Sequence, residues 1–107
     1  MKIVLNNINN TEYRILSGVE LGEIARKQFD FDRLDNLEET IEIMIPDEVL
    51  SVNSSFFSGA FQKSIKILKI DRFRERYHFI CDDIIRQNIE NGIFNIEKTL
   101  DLLGGQS

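Results

Sequence analysis

Apolar positions along this chain change their period several times, and each change marks an element. Lys2 to Leu5 alternates weakly and carries β-branched residues, the pattern of a strand. The polar run Asn6-Asn7-Ile8-Asn9-Asn10 reads as a turn, because asparagine tolerates left-handed backbone and competes locally for hydrogen bonds. Glu12 to Leu16 allows a short second strand. Ser17 then reads as a helix cap, with Glu20 three residues on completing a capping box. The helix it opens places Val19, Leu21 or Ile24, Ala25 and Gln28 or Phe29 near one face and fades around Phe29. Asp30 to Glu39 is acidic and polar, which predicts a surface connection.

Thr40 to Ile45 alternates and then runs apolar, as a strand with a buried face does. Pro46 ends it or sits at its edge, having no N–H for a ladder. Val49 to Val52 leads into Asn53-Ser54-Ser55, three residues that favour helix starts. From there Phe57, Ala60, Phe61, Ile65 and Leu68 recur at spacings of three and four, an amphipathic helix. Phe56 falls off that stripe, so it is either an exposed anchor or packed against the Asp47–Val52 loop. Arg72 to Arg76 is a charged connection, and Tyr77 to Cys81 is another strand. Asp82 or Asp83 caps a helix with Ile84, Ile85, Asn88 and Ile89 on one side and Gly92 as its C-cap. Asn95 caps a last short helix carrying Ile96, Leu100 and Leu103. Strands and helices alternate, so the expected fold is α/β (α+β), a small mixed sheet of four to five strands. Its helices lie mainly on one face, leaving the other partly uncovered. Residues 1–103 form one domain and residues 104–107 a disordered tail.

A length of 107 residues leaves no room for a second core. No stretch approaches the run of about 20 apolar residues that crosses a bilayer. The N-terminal apolar run is too short for a signal peptide and lacks a small-residue cleavage site. A single cysteine cannot form an internal disulfide, so the expected compartment is the cytoplasm. The net charge of −5 argues against specific nucleic-acid binding. The charge is uneven, however: Glu20 to Glu48 is acidic, while Lys63, Lys66, Lys69, Arg72, Arg74 and Arg76 make Lys63 to Arg76 basic. That basic run is either a patch for an acidic partner or phosphate, or a solvated helix face.

Catalysis finds little support in these residues. His78 and Cys81 have opposite parity in a strand and so point to opposite faces. One histidine and one cysteine cannot supply the usual zinc ligands, and the acid pairs Glu38-Glu39, Asp47-Glu48 and Asp82-Asp83 are adjacent residues whose side chains diverge. No glycine-rich phosphate loop occurs. The expectation is a protein without catalytic residues or cofactor. The segment that joins polar chemistry to a defined place is Asn53-Ser54-Ser55. There the positive end of a helix dipole favours a bound anion or a phosphorylated serine, or the three residues simply cap the helix.

Val49-Leu50-Ser51-Val52-Asn53-Ser54-Ser55-Phe56, following the strand Ile41 to Ile45, resembles the strand-turn-helix of the STAS-like family of unknown function. Leu16 to Arg26 looks like that family's first helix, and Tyr77 to Asn91 is similar in pattern to its later strand and helix, so the resemblance spans about Lys2 to Asn91. It implies a STAS-like fold and, more distantly, a likeness to anti-sigma factor antagonists. In those proteins a serine at this helix start is phosphorylated by an ATP-binding kinase-like partner. The resemblance places the phosphoacceptor on Ser54, beside Ser55. Asn53 stands where those proteins usually have Asp, and Phe56 where they usually have Gly, so a docking turn is expected ahead of a phosphoswitch.

The expected function is therefore a regulatory or adaptor domain binding a protein through Asn53, Ser54, Ser55, Phe56 and Ser58. The resemblance implies an ATP-binding histidine-kinase-like protein as the partner class. The alternative is a sensor holding a nucleotide or other anion at the same helix start, helped by Lys63 or Arg86. An edge strand and a one-sided sheet also allow a homodimer.

Overall fold

In the computed structural model, which describes residues 1–104, the chain runs β1 (Lys2–Val4), β2 (Asn7–Ile8), β3 (Thr11–Glu12), β4 (Ile15–Leu16), α1 (Val19–Gln28), α2 (Phe31–Leu34), β5 (Ile41–Met44), β6 (Ser51–Val52), α3 (Ser54–Arg76), β7 (Tyr77–Ile80) and α4 (Asp83–Gly104). The fold is α/β, with strands paired in both senses. β5 lies between β1 and β7 in a parallel sheet, Ile43 opposite Ile3 and Phe79. Parity sorts this sheet: Ile3, Ile41, Ile43, Tyr77 and Phe79 are buried under the helices, while Lys2, Glu42 and His78 face outward.

The expected sheet of four to five strands is divided. Besides the three-stranded sheet there is an antiparallel β2–β3 hairpin and a parallel β4–β6 pair two residues long. Asn9 and Asn10 form the hairpin turn with φ 56° and 64°, the left-handed pair that a tight hairpin requires. The turn expected over Asn6–Asn10 thus shrinks to its last two residues, and the strand expected over Glu12–Leu16 splits at Tyr13 and Arg14.

The first helix departs from its expected face. α1 packs backbone to backbone on α3: a Cβ added to Gly22 would strike the Phe56 carbonyl oxygen, and one added to Gly59 the Val19 carbonyl oxygen. Its inward side is therefore Gly22, Ala25 and Arg26, while Val19 and Ile24 are exposed. The helix starts at Gly18, with φ 98° and no side-chain cap, so the capping box at Ser17 is not formed.

The stretch Asp30–Glu39 is a surface connection only in part: Asp30, Asp32, Arg33, Asn36, Glu38 and Glu39 are exposed. α2 buries Phe31 and Leu34 completely, and Asp35 follows them into the core. A buried carboxylate is costly unless paired. Asp35 Oδ2 accepts from Arg26 Nη2 at 2.6 Å and its Oδ1 from the Tyr77 hydroxyl at 2.6 Å. Arg26 also donates to Asp32 Oδ1, the Ala60 carbonyl and Ser64 Oγ. Among the described residues no buried side-chain polar atom lacks a partner. Burial, and then the Asp35 carboxylate, push the Tyr77 phenol well above its ordinary pKa.

α3 carries the core, burying Phe57, Ala60, Phe61, Ile65 and Leu68 as the spacing predicts. It breaks at Lys69 (φ 70°, ψ 162°) and resumes, so Arg72–Arg76 is helical rather than a connection. α4 is capped by Asp82, whose Oδ1 accepts from Ile85 N at 2.8 Å. It then runs through Gly92 and Asn95, which neither end nor start a helix. Gly92 gives room to Phe57, whose ring would lie 2.8 Å from an added Cβ. Ile84, expected on the inner side, is exposed, while Ile85, Ile89, Ile93 and Ile96 are buried. Gly104 closes this helix; the rest of the expected tail lies outside the described residues. Among those residues no helix is long and apolar enough to cross a membrane.

Candidate functional site

β4 and β6 run side by side, and each leads directly into a helix, β4 into α1 and β6 into α3. The two helices therefore start together. Asn53 N donates to the Leu16 carbonyl at 2.8 Å, extending the ladder by one residue. Asn53 Nδ2 donates to Ser17 Oγ at 2.9 Å, and Gly18 N to Ser55 Oγ at 2.9 Å. From the other side, α4 supplies Asn95 Nδ2 to Ser54 Oγ at 2.8 Å, while Asn88 Oδ1 accepts from Val52 N at 2.7 Å. The turn is thus tied to the start of α1 and to the middle of α4.

These bonds change the chemistry of the turn. Asn53 occupies the cap position, but its side chain makes no cap hydrogen bond because it reaches across to Ser17. The first N–H groups of α3 have no carbonyl behind them in the helix, and the first helical bond is Phe57 N to the Asn53 carbonyl at 3.0 Å. With α1 starting alongside, two positive dipole ends meet here. The hydroxyl oxygens of Ser54 and Ser55 each accept one bond, and both residues are half-buried.

The other expected site residues are placed elsewhere. Phe56 is fully buried rather than an exposed anchor, because α1 crosses its backbone at Gly22. Ser58 donates to Gln62 Oε1 at 2.6 Å, one turn along α3. Lys63 Nζ lies 3.4 Å from Asp32, and Arg86 Nη2 donates to the Phe79 carbonyl at 2.6 Å. Neither cation joins the hydrogen bonds of the turn. The basic run is likewise dispersed. Arg74 makes a two-pronged pair with Glu90 at 2.8 Å, which holds the Glu90 carboxyl below its ordinary pKa, and Arg76 donates to the Asp35 carbonyl. Cys81 is half-buried, and burial pushes its thiol up, away from the reactive thiolate.

Sequence reasoning missed Ser17, Gly18, Asn88 and Asn95 as members of this cluster. A signal existed for the last two: they lie seven residues apart, on one helical face, among the isoleucines that α4 buries. It also missed the apolar surroundings. Leu50, Ile15 and Val19 are 60%, 53% and 47% exposed. Ile15 pairs in register with Ser51, Leu50 N donates to the Arg14 carbonyl, and Val19 opens α1 beside Ser17 and Gly18. Among the described residues no group of three or more His, Cys, Asp and Glu stands together to hold a metal ion. No family model matches this chain, and neither a curated protein nor a solved structure does.

Proposed function

We propose that this chain is a non-catalytic regulatory or adaptor domain, working in the cytoplasm, that binds a protein partner through the surface around the Asn53–Ser58 turn. The observation that carries this reading is the exposed set Leu50, Ile15 and Val19 beside a turn held rigid by Ser17, Gly18, Asn88 and Asn95. Apolar groups around pre-ordered hydrogen-bonding groups are what a protein interface needs, since little conformational freedom is lost on docking. The likeness to STAS-like proteins supports the same surface and suggests an ATP-binding histidine-kinase-like partner. A phosphate on Ser54 would meet the free N–H groups of α3 and two dipole ends, and would displace or recruit the Asn95 amide.

The experiment is capture of a purified ATP-binding histidine-kinase-like protein by the immobilised domain. Leu50→Asp is expected to weaken capture about tenfold or more, with the melting temperature unchanged. Ser54→Ala is expected to bind and Ser54→Glu to release. Wild-type capture by all three variants sinks the reading.

The paired helix starts favour one alternative, a sensor for a nucleotide or other anion at the same place. Stabilisation of several degrees by one nucleotide in a thermal-shift panel would support it, since a ligand at 100 times Kd adds about 2.7 kcal/mol.

A further inference from the structure

Beside the break in α3 at Lys69, a cleft of about 580 Å³ opens between α3 and the last turns of α4. That volume is in the range of small-molecule sites. Ile65, Ile70 and Leu100 give the cleft an apolar lining. Lys66 and Lys69 line it from α3, Glu97 and Asp101 from α4, and Asp71 from the α3 side past the break. All five charged residues are exposed, and among the described residues none of them forms an ion pair. Arg74 attracts Asp71 and Glu97 through space, but its guanidinium is bound to Glu90. Lys69 adds a second observation. Its backbone (φ 70°, ψ 162°) suits glycine, and its side chain is exposed, so packing gives no reason for a lysine there. The amine is what a glycine would lack.

We propose that this cleft binds a small zwitterion with an apolar body, an amino acid or short peptide of the leucine type. Lys66 and Lys69 take its carboxylate, Glu97 and Asp101 its ammonium group, and Ile65, Ile70 and Leu100 the apolar part between them. The argument is charge complementarity between lining groups of both signs that do not satisfy one another. A simple anion would share the cleft with three carboxylates, and a simple cation with two ammonium groups. Either would bring like charges together as the cleft loses water. A molecule with a carboxylate at one end and an ammonium at the other, as an amino acid or peptide has at pH 7, meets both walls. The cleft shares no residue with the docking turn, so this site stands apart from the partner surface.

Titration of the whole chain with leucine and with the dipeptide Leu-Leu, followed through the backbone amides by NMR, tests this. At least one is expected to give saturable shifts at Lys66, Lys69, Glu97 and Asp101 with a Kd of about 1 mM or below. Tighter binding of the dipeptide identifies a peptide as the source of the two charges, and tighter binding of leucine a free amino acid. N-acetyl-leucine keeps only the carboxylate and leucine amide only the ammonium, so each is expected to bind about tenfold or more weakly than leucine. Lys69→Gly removes the amine at a position whose backbone accepts glycine, so the fold is kept and the affinity falls about tenfold. Absence of saturation by both zwitterions up to about 10 mM overturns the proposal. So do singly charged analogues that bind as tightly as leucine, or a folded Lys69→Gly chain with wild-type affinity.

Discussion

Lys69 holds φ 70° and ψ 162°, a region almost reserved for glycine, at a cost of about 1–3 kcal/mol. The break is retained because of what lies on either side. Leu68 before it and Phe73 after it are both buried, and the change of direction lets the Phe73 ring stack on Tyr77 at 5.1 Å and meet Phe61 at 5.7 Å. Lys69 itself is exposed, so its side chain contributes little to the fold. Lys69→Gly should therefore stabilise the protein by about 1 kcal/mol in urea unfolding, the relief of strain exceeding the added freedom of the unfolded chain. An unchanged or lower midpoint would mean that the backbone there is unstrained. Lys69 sits within a run of charges, where nothing local announces a break. Residues whose partners are near in sequence were legible: Asp82 caps the helix three residues on, and Asn9-Asn10 makes its own turn. Arg26, Asp35, Ser17 and Ser55 were not, because what they bind lies 6 to 42 residues away and leaves no periodic trace.

The contact between α1 and α3 depends on Gly22 and Gly59 more than on any large side chain. Two helix backbones touch there, so an added methyl meets a carbonyl that cannot move aside. Gly59→Ala is expected to cost about 3 kcal/mol or more, at the upper end for overpacking, and to loosen the start of α1. Its melting temperature should fall by about 12 °C or more, and hydrogen exchange at Gly22 N should speed up. A loss below about 1 kcal/mol would show that the helices separate easily. The same contact explains the burial of Phe56. α3 lies between α1 and α4, so its buried arc takes in Phe56 as well as the stripe from Phe57 to Leu68. A hydrophobic stripe read from spacing assumes one covered side, and here two neighbours widen it. Gly92 and Asn95 misled for a related reason: a residue that ends helices in isolation serves here to admit the Phe57 ring, and one that starts them reaches Ser54.

Across the whole molecule one aromatic cluster connects the layers. The Phe61 ring lies 4.9 Å from Phe31, 5.0 Å from Phe57, 5.5 Å from Phe79, and 5.7 Å from both Phe73 and Tyr77. It thereby joins α2, α3 and β7. Phe61→Ala should remove about 3–5 kcal/mol, much of the 5–15 kcal/mol that holds a domain of this kind folded. Near-UV circular dichroism should weaken together with the thermal transition; a loss of one without the other would show that the layers unfold separately. The α/β character and a sheet covered mainly on one side were legible from alternating periods. The division into three small sheets was not, since each pairing is decided between distant segments. That long-range pairing also has a temporal consequence. Lys2 pairs with Glu42, 40 residues later, and Ile41 with Tyr77, 36 residues later. On a ribosome adding about 5–20 residues per second, each strand of the main sheet waits roughly 2–8 s for its neighbour to be made. During the first wait Ile3 and Val4 have no strand beside them, and during the second Ile41 to Met44 have β1 on one side only, so the nascent chain carries an unpaired strand edge until β7 has been synthesised.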